Sequence, residues 1–323
     1  MYGAGSRHVE GGRGRRRVVT ATFLIALIGA ACAPAATSPD VSVAPSVSAV
    51  TSSPESTTAV SPTPSATPTP ATAPTTARSA GRTVFVIVME NNGLDAALRQ
   101  PYLSTLATQY GVATNYHAVS SPSLPNYLAL TSGETFGIED DDYHQLPVDG
   151  IGEQLSTAGI TWRAYMEGMG QDCRTDTETY AVKHDPFAYY GPACPANIVP
   201  LTALASDLRA STPRLAWITP DVCHDGHDCP LPTADAWLAT TVPLITASPA
   251  WQAGGVLFIV WDESDGRSHT VPLFVVTPRG GAVRSEVRYD HYSLLATMET
   301  LLGVPLLGRA AQATVIADLI PGP

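Results

Sequence analysis

Apolar runs of strand length recur along the chain at regular intervals. Residues 83–89 (TVFVIVM) form a continuous run, the pattern of a strand buried on both faces. Residues 161–166, 214–219 (RLAWIT), 256–261 (VLFIVW) and 271–277 (VPLFVVT) repeat the pattern. Between them lie helical patterns at 94–110, 151–158, 201–210, 234–247 and 291–302. No internal repeat is visible. The alternation predicts an α/β fold, a largely parallel sheet sandwiched by helices.

In such sheets, ligands bind beyond the carboxyl ends of the strands. The residues at those ends carry the first hint of chemistry. Glu90, Asn91 and Asn92 follow the first strand, and Asp262 and Glu263 follow VLFIVW. After RLAWIT comes a loop, Cys223-His-Asp-Gly-His-Asp-Cys229, that carries Asp225 and His227. A helix cap and turn would also place Glu90-Asn91. Two adjacent carboxylates after a fully apolar strand are harder to explain structurally, and a metal is the simplest partner for them. His184, in KHDPF beside the chain's one lysine, reads equally well as a turn before Pro186. His269 precedes a strand and would face the same edge. Asp290 suits the N-terminus of the last helix.

The segment 121–133, SPSLPNYLALTSG, holds Ser123 between two prolines at the start of a helix-like run. Proline fixes φ and removes a donor, so the loop around this hydroxyl is stiff. Helix N-terminal amides stabilise negative charge, which suits a nucleophile there, although an ordinary N-cap and turn needs the same residues. No G-x-S-x-G elbow occurs, which argues against a classical serine esterase.

The N-terminus adds where the chain works. Arginines 13 and 15–17 precede a short apolar run, small residues and Cys32, the layout of a secretory signal over residues 1–32. The run is too short to span a bilayer. Gly29-Ala30-Ala31-Cys32 partly resembles a lipoprotein processing site, so a lipidated Cys32 would tether the protein to the outer face of a bacterial cell membrane. The alternative is release as a secreted protein. Residues 33–81 are almost entirely Ala, Ser, Thr, Pro and Val, a disordered tether. Residues 82–323 remain as a single catalytic-sized domain. Five Arg and one Glu leave with residues 1–31, taking 18 basic and 29 acidic residues to 13 and 28, about −15. Such a surface disfavours nucleic acid but not a phosphate substrate, provided a metal supplies local positive charge. Four cysteines are left, and an even count in an exported chain argues for two disulfides. Sequence proximity favours Cys173–Cys194 and Cys223–Cys229. A zinc site from all four lacks paired C-x-x-C knuckles.

Taken together, these residues resemble the phosphoesterase family of bacterial phospholipases C and acid phosphatases, within the alkaline phosphatase superfamily. The shared pieces are MENN (89–92), SPSLPNYLALTSG (121–133), KHDPF (183–187), TPDVCHDGHDC (219–229), WDES (261–264) and DHYSLL (290–295), in the family's order. The resemblance implies an alkaline-phosphatase-like fold and an exported, metal-dependent hydrolase of phosphoric ester bonds. It places the nucleophile on Ser123 and a divalent ion (Mg, Mn, Ca or Zn) on Glu90, Asn91, Ser123, Asp262 and Glu263. It gives phosphate contacts and proton transfer to His184 and His227, while Asp225 and His269 are placed beside the substrate by their positions along the sequence. Phospholipase C members often read E-N-R-S-F-D where this chain has Glu90-Asn91-Asn92-Gly93-Leu94-Asp95, and the large ones carry long insertions and C-terminal domains. The departure favours a small acid-phosphatase-like phosphomonoesterase acting through a phosphoserine. A phospholipase C or other phosphodiesterase is the alternative within enzymes. A non-catalytic, envelope-anchored binding protein on the same fold is the alternative outside them.

Overall fold

The computed structural model describes residues 81–266 and 270–322; the leader with Cys32, nearly all of the tether, and His269 lie outside the described residues. In chain order the elements are β1 (Val84–Met89), α1 (Leu94–Ala97), α2 (Pro101–Gln109), β2 (Gly111–Ala113), β3 (Tyr116–His117), α3 (Ser123–Ser132), α4 (Gly150–Thr157), β4 (Trp162–Met166), β5 (Ile198–Pro200), α5 (Leu204–Ala210), β6 (Leu215–Thr219), α6 (Leu231–Thr246), α7 (Pro249–Gln252), β7 (Val256–Trp261), β8 (Leu273–Val276), β9 (Arg284–Ser285), β10 (Tyr289–Asp290) and α8 (His291–Leu302).

Eight strands form the main sheet in the order β5-β4-β6-β1-β7-β8-β2-β9. The first five run parallel. β8 and β2 add antiparallel ladders, and β9 pairs parallel to β2. Every residue of β1, β6, β7 and β8 is buried, because helices cover both faces; this is why these strands read as unbroken apolar runs. The expected α/β sandwich with a largely parallel sheet is the fold observed. Its antiparallel edge and the short β2, β3, β5, β9 and β10 had no readable pattern, since two or three residues carry no period.

The helices differ from expectation where proline intervenes. The run 94–110 is two helices, because Pro101 has no N–H to continue α1 and instead opens α2. Residues 201–203 form a 3-10 turn before α5. α6 starts at Leu231, three residues earlier than its pattern suggested. α2 is tied to α6 by the buried carboxylate of Asp235, which accepts the Tyr102 and Leu103 N–H groups at 2.9 Å each, at the positive end of α2. Asp290 caps α8 in a reciprocal capping box with Ser293.

α3 ends at Gly133, whose φ of 75° and close approach to the C-terminal segment both require glycine: a Cβ there would lie 2.5 Å from the Leu307 carbonyl oxygen. Disulfides join Cys173 to Cys194 and Cys223 to Cys229, the pairing that proximity favoured. Among the described residues no helix is long and apolar enough to cross a membrane.

Candidate active site

Strand register builds the site. β1 lies between β6 and β7, and Met89 pairs with Trp261. The residues just beyond, Glu90 and Asp262, are therefore side by side, and the Asp262 N–H donates to the Met89 carbonyl at 3.0 Å. The Glu90 N–H donates in turn to the Asp225 carbonyl at 2.9 Å, which fastens the 223–229 loop to the end of β1. Gly226, at φ 96°, permits this closeness: a Cβ would meet the Asn92 amide at 3.2 Å. Glu90, Asp225 and Asp262 are fully buried at the carboxyl edge of the sheet.

Ser123 enters from the opposite side as the first residue of α3. Its hydroxyl does not cap the helix; it donates to Glu90 Oε2 at 3.1 Å. One turn on, the Tyr127 phenol donates to Glu90 Oε1 at 2.7 Å. Asn126 holds the preceding loop, accepting from the Val119 and Ser120 N–H groups and donating to the Ser120 and Pro122 carbonyls. The peptide between Ser121 and Pro122 is cis. The next amide along the helix, Leu124 N–H, donates to Asp141 Oδ1 at 3.0 Å.

Two histidines and a lysine close the third side. His184 ends a 3-10 turn, is buried, and stacks on Tyr127 with ring centroids 5.5 Å apart. Its Nε2 lies 3.3 Å from Glu90 Oε1 and its Nδ1 3.1 Å from Asp225 Oδ2. His184 Nε2 and Asp225 Oδ2 are buried without a hydrogen bond. His227 is part-exposed; its Nδ1 lies 2.7 Å from Asp228 and its Nε2 3.3 Å from Lys183 Nζ. Lys183 also donates to Asp141 Oδ2 at 2.8 Å. Beside this loop Glu167, Asp221 and His224 form a mutually hydrogen-bonded cluster that braces it.

Electrostatics define what the site lacks. Burial, then repulsion by Asp262 and Asp225, pushes the Glu90 carboxyl well above the usual range. Burial and Glu263 bring Asp262 to about 7, and burial brings Asp225 to about 7. Glu263 is also raised by burial, against the hydroxyls of Ser121 and Ser123. Burial lowers His184 well below its ordinary value, despite two carboxylates at ion-pair distance, so the imidazole is neutral. Burial works against the Lys183 ammonium as well, but Asp141, Glu90 and Asp262 more than offset it. Four carboxylates thus crowd one pocket with a single fixed cation nearby, and Asp262 Oδ2 is buried with no hydrogen-bond partner. That is the environment a hard divalent cation satisfies, so the residues present fit one. A nitrogen-containing set also converges: donor atoms of Glu90, His184 and His227 lie within 4.8 Å of one another.

The structure brings together Ser123, Glu90, Asp262, Glu263, Asp225, His184 and His227. Asn91 joins through its backbone: at φ 56°, a conformation asparagine tolerates, its N–H donates to Asp262 Oδ1 at 3.3 Å. Asp141, Lys183, Tyr127 and His291 were not picked out as site residues. Tyr127 stands four residues after Ser123 on one helix face, a spacing that signals a shared target. Lys183 signalled itself as the only lysine in the chain. Asp141 was hidden in an acidic run (EDDD) that reads as solvated surface. His291, at the start of α8, lies 2.6 Å from the Asp262 carbonyl through Nε2 and 2.9 Å from the Tyr116 hydroxyl through Nδ1, and carried no signal beyond DHYSLL.

The match to known proteins follows this geometry. The family model "Phosphoesterase family" matches residues 96–305, from within α1 to just past α8. The chain belongs to the phosphoesterase family. Among curated relatives, a phosphate-repressible acid phosphatase of Penicillium chrysogenum is 30% identical over 245 residues, covering 69% of this chain and 59% of its own length. A phosphatidylinositol-3-phosphatase of Mycobacterium tuberculosis is 30% identical over 249 residues, covering 72% and 81%. The chain spans about 60% of the length of the first acid phosphatases it matches. A solved structure of an alkaline phosphatase superfamily protein from Vibrio parahaemolyticus superposes with a TM-score of 0.53 at 12% identity, covering 75% of this chain and 72% of that one. At that identity the likeness is one of fold, and it agrees with the alkaline-phosphatase-like fold that the family resemblance implied.

Proposed function

We propose that this chain is an exported phosphomonoesterase whose Ser123 forms a phosphoserine intermediate. One observation carries the reading. The Ser123 hydroxyl lies at a helix N-terminus, 3.1 Å from a buried Glu90, where backbone amides and carboxylates converge. A capping serine would have turned that hydroxyl to its own helix. A divalent cation held by Glu90, Asp262 and Glu263, with Asn91 and the Ser123 oxygen completing the set, would lower the pKa of the hydroxyl and offset charge on the phosphoryl oxygens. Ser123 Oγ, its proton directed at Glu90 Oε2, attacks phosphorus, and the bond to the leaving oxygen breaks. Lys183 and the Leu124 N–H face the side on which the phosphoryl charge collects. Once Lys183 turns from His227 Nε2 to the phosphoryl oxygens, that nitrogen takes up a proton from solvent and passes it to the leaving oxygen, with Asp228 holding Nδ1. Neutral His184 props Glu90 and Asp225 in place. Water then cleaves the phosphoserine, releasing phosphate and restoring the serine.

The substrate in this reading is a small phosphorylated molecule met outside the cytoplasm, with the leader and the tether supporting export. The test is Ser123→Ala. Turnover of p-nitrophenyl phosphate is expected to fall by about a thousandfold or more, with the thermal transition retained. Rapid quenching of the wild type should yield a phosphopeptide carrying Ser123. Undiminished turnover in the variant overturns the nucleophile. A wild type that cleaves diesters far better than monoesters overturns the monoesterase assignment.

A further inference from the structure

The loop between α3 and α4 places a carboxylate where the reading above needs an anion site. Asp141 Oδ1 accepts the Leu124 N–H at 3.0 Å, and Oδ2 accepts the Lys183 ammonium at 2.8 Å. The first donor is the helix amide next to Ser123. The second is the chain's only lysine, 3.3 Å from His227 Nε2 and close enough to Glu90 and Asp262 for their charge to raise its pKa. One carboxylate therefore bridges donors from two elements, α3 and the 3-10 turn at Val182–His184, as two oxygens of a phosphoryl group would. The same carboxylate repels Glu263, so it sits on the side of the pocket where further negative charge is unwelcome.

Its surroundings suit a group that leaves. Asp141 is part-exposed, and Asp140 and Asp142 on either side face solvent. The loop is tied at its ends, and beside Asp141 the Tyr143 ring packs on Tyr189 while Asp140 pairs with His144. The Leu146 N–H donates to the Tyr189 carbonyl at one end, and the Ile138 N–H to the Thr135 carbonyl at the other. Gly137, at φ 71°, has open space where a side chain would stand.

We propose that Asp141 is a built-in stand-in for the substrate phosphate, holding Leu124 N–H and Lys183 until a sufficiently charged phosphoryl group displaces it. This rests on the phosphomonoesterase reading and deepens it by naming a specificity-determining residue. Displacement costs two charge-assisted hydrogen bonds, which a monoester dianion replaces in full. A diester carries one negative charge and only two unesterified oxygens, so it competes less well against a carboxylate. Asp141 thereby selects monoesters over diesters.

The experiment compares wild type with Asp141→Asn. Orthovanadate inhibition is expected to tighten by about tenfold in the variant, the size of losing one charge-assisted competitor. The ratio of kcat/KM for p-nitrophenyl phosphate to that for bis-p-nitrophenyl phosphate is expected to fall. Vanadate inhibition unchanged or weaker, with the thermal transition intact, overturns the proposal, because it makes Asp141 a support for Lys183 and α3. Should the variant fold poorly, hydrogen exchange of the wild type decides. Saturating vanadate is expected to speed exchange across residues 139–145, and slowed or unchanged exchange overturns the proposal. Monoester turnover in the wild type alongside either negative result leaves the phosphomonoesterase reading standing. No turnover and no vanadate binding in the wild type removes both.

Discussion

Tyr127 and Glu90 are joined by a 2.7 Å hydrogen bond between α3 and the end of β1, and the phenol takes the oxygen that Ser123 does not. The carboxylate is thus clamped by two donors from one face of a single helix. Tyr127→Phe leaves a buried carboxylate oxygen short of its donor. It is expected to lower stability by about 1–3 kcal/mol in urea unfolding. Activity is expected to fall too, because Glu90 gains freedom to turn from Ser123. Ser123→Ala, removing the longer of the two contacts (3.1 Å against 2.7 Å), is expected to cost less stability and far more activity. Equal ratios of stability to activity loss in the two variants would show that the two hydroxyls do the same job.

Removal of divalent ions tests the carboxylate pocket directly. Incubation with chelator and the Asp262→Asn substitution are each expected to lower turnover by about a hundredfold or more. Metal analysis of the purified protein is expected to show bound ion in wild type and less in the variant. Full activity in chelator together with metal-free protein would rule out the pocket as a cation site.

The two disulfides are expected to rank oppositely on stability and activity. The bridge Cys173–Cys194 closes a loop of 21 positions and Cys223–Cys229 one of six. By loop entropy their removal costs about 3 and about 2 kcal/mol respectively. The shorter bridge frames Asp225 and His227, so Cys223→Ser with Cys229→Ser should have the larger effect on kcat. Thermal unfolding and steady-state kinetics on the two double variants check the ordering. A larger kcat loss from the 173–194 pair would contradict the assigned role of the 223–229 loop.

Stability should fall with rising pH through a group remote from the site. Glu299 on α8 is buried, its Oε1 accepts the Leu307 N–H at 3.0 Å, and its Oε2 has no partner. Burial raises its carboxyl from 4.5 to about 8. The folded form thus holds a proton that the unfolded chain gives up. The associated stability is complete below about 4.5 and is lost as pH climbs through about 8. Each unit of such a difference is worth about 1.4 kcal/mol, ample for detection. Glu299→Gln is expected to flatten the decline between pH 5 and 8. Parallel stability curves for the two proteins would place the pH dependence elsewhere.

The strands were legible because burial on both faces writes itself as an unbroken apolar run. β7 and α8 agree with the pattern residue for residue. The strand-end carboxylates were legible for the same reason: polarity stands out after such a run. What the linear pattern cannot carry is pairing. That Glu90 adjoins Asp262 depends on β1 and β7 being neighbours in register, with Val84 opposite Val256 and Met89 opposite Trp261, a fact set by packing between segments far apart in sequence. Asp141 was illegible for a related reason. Its chemistry comes from Leu124 and Lys183, 17 and 42 positions away, while its sequence neighbours are solvated acids. His184 carried a different ambiguity, because KHDPF makes both a turn and a wall of the pocket.

The contact between Gly133 and the segment after α8 bears on where this domain can be cut. The matched family segment stops at residue 305, yet the Arg309 N–H donates to the Gly133 carbonyl at 3.0 Å and Leu307 packs against the same glycine. The helix that begins with Ser123 is therefore anchored at its far end by residues beyond the shared boundary. A shortened version ending at residue 305 would lose the rear anchor of its reactive helix while keeping every residue of the pocket.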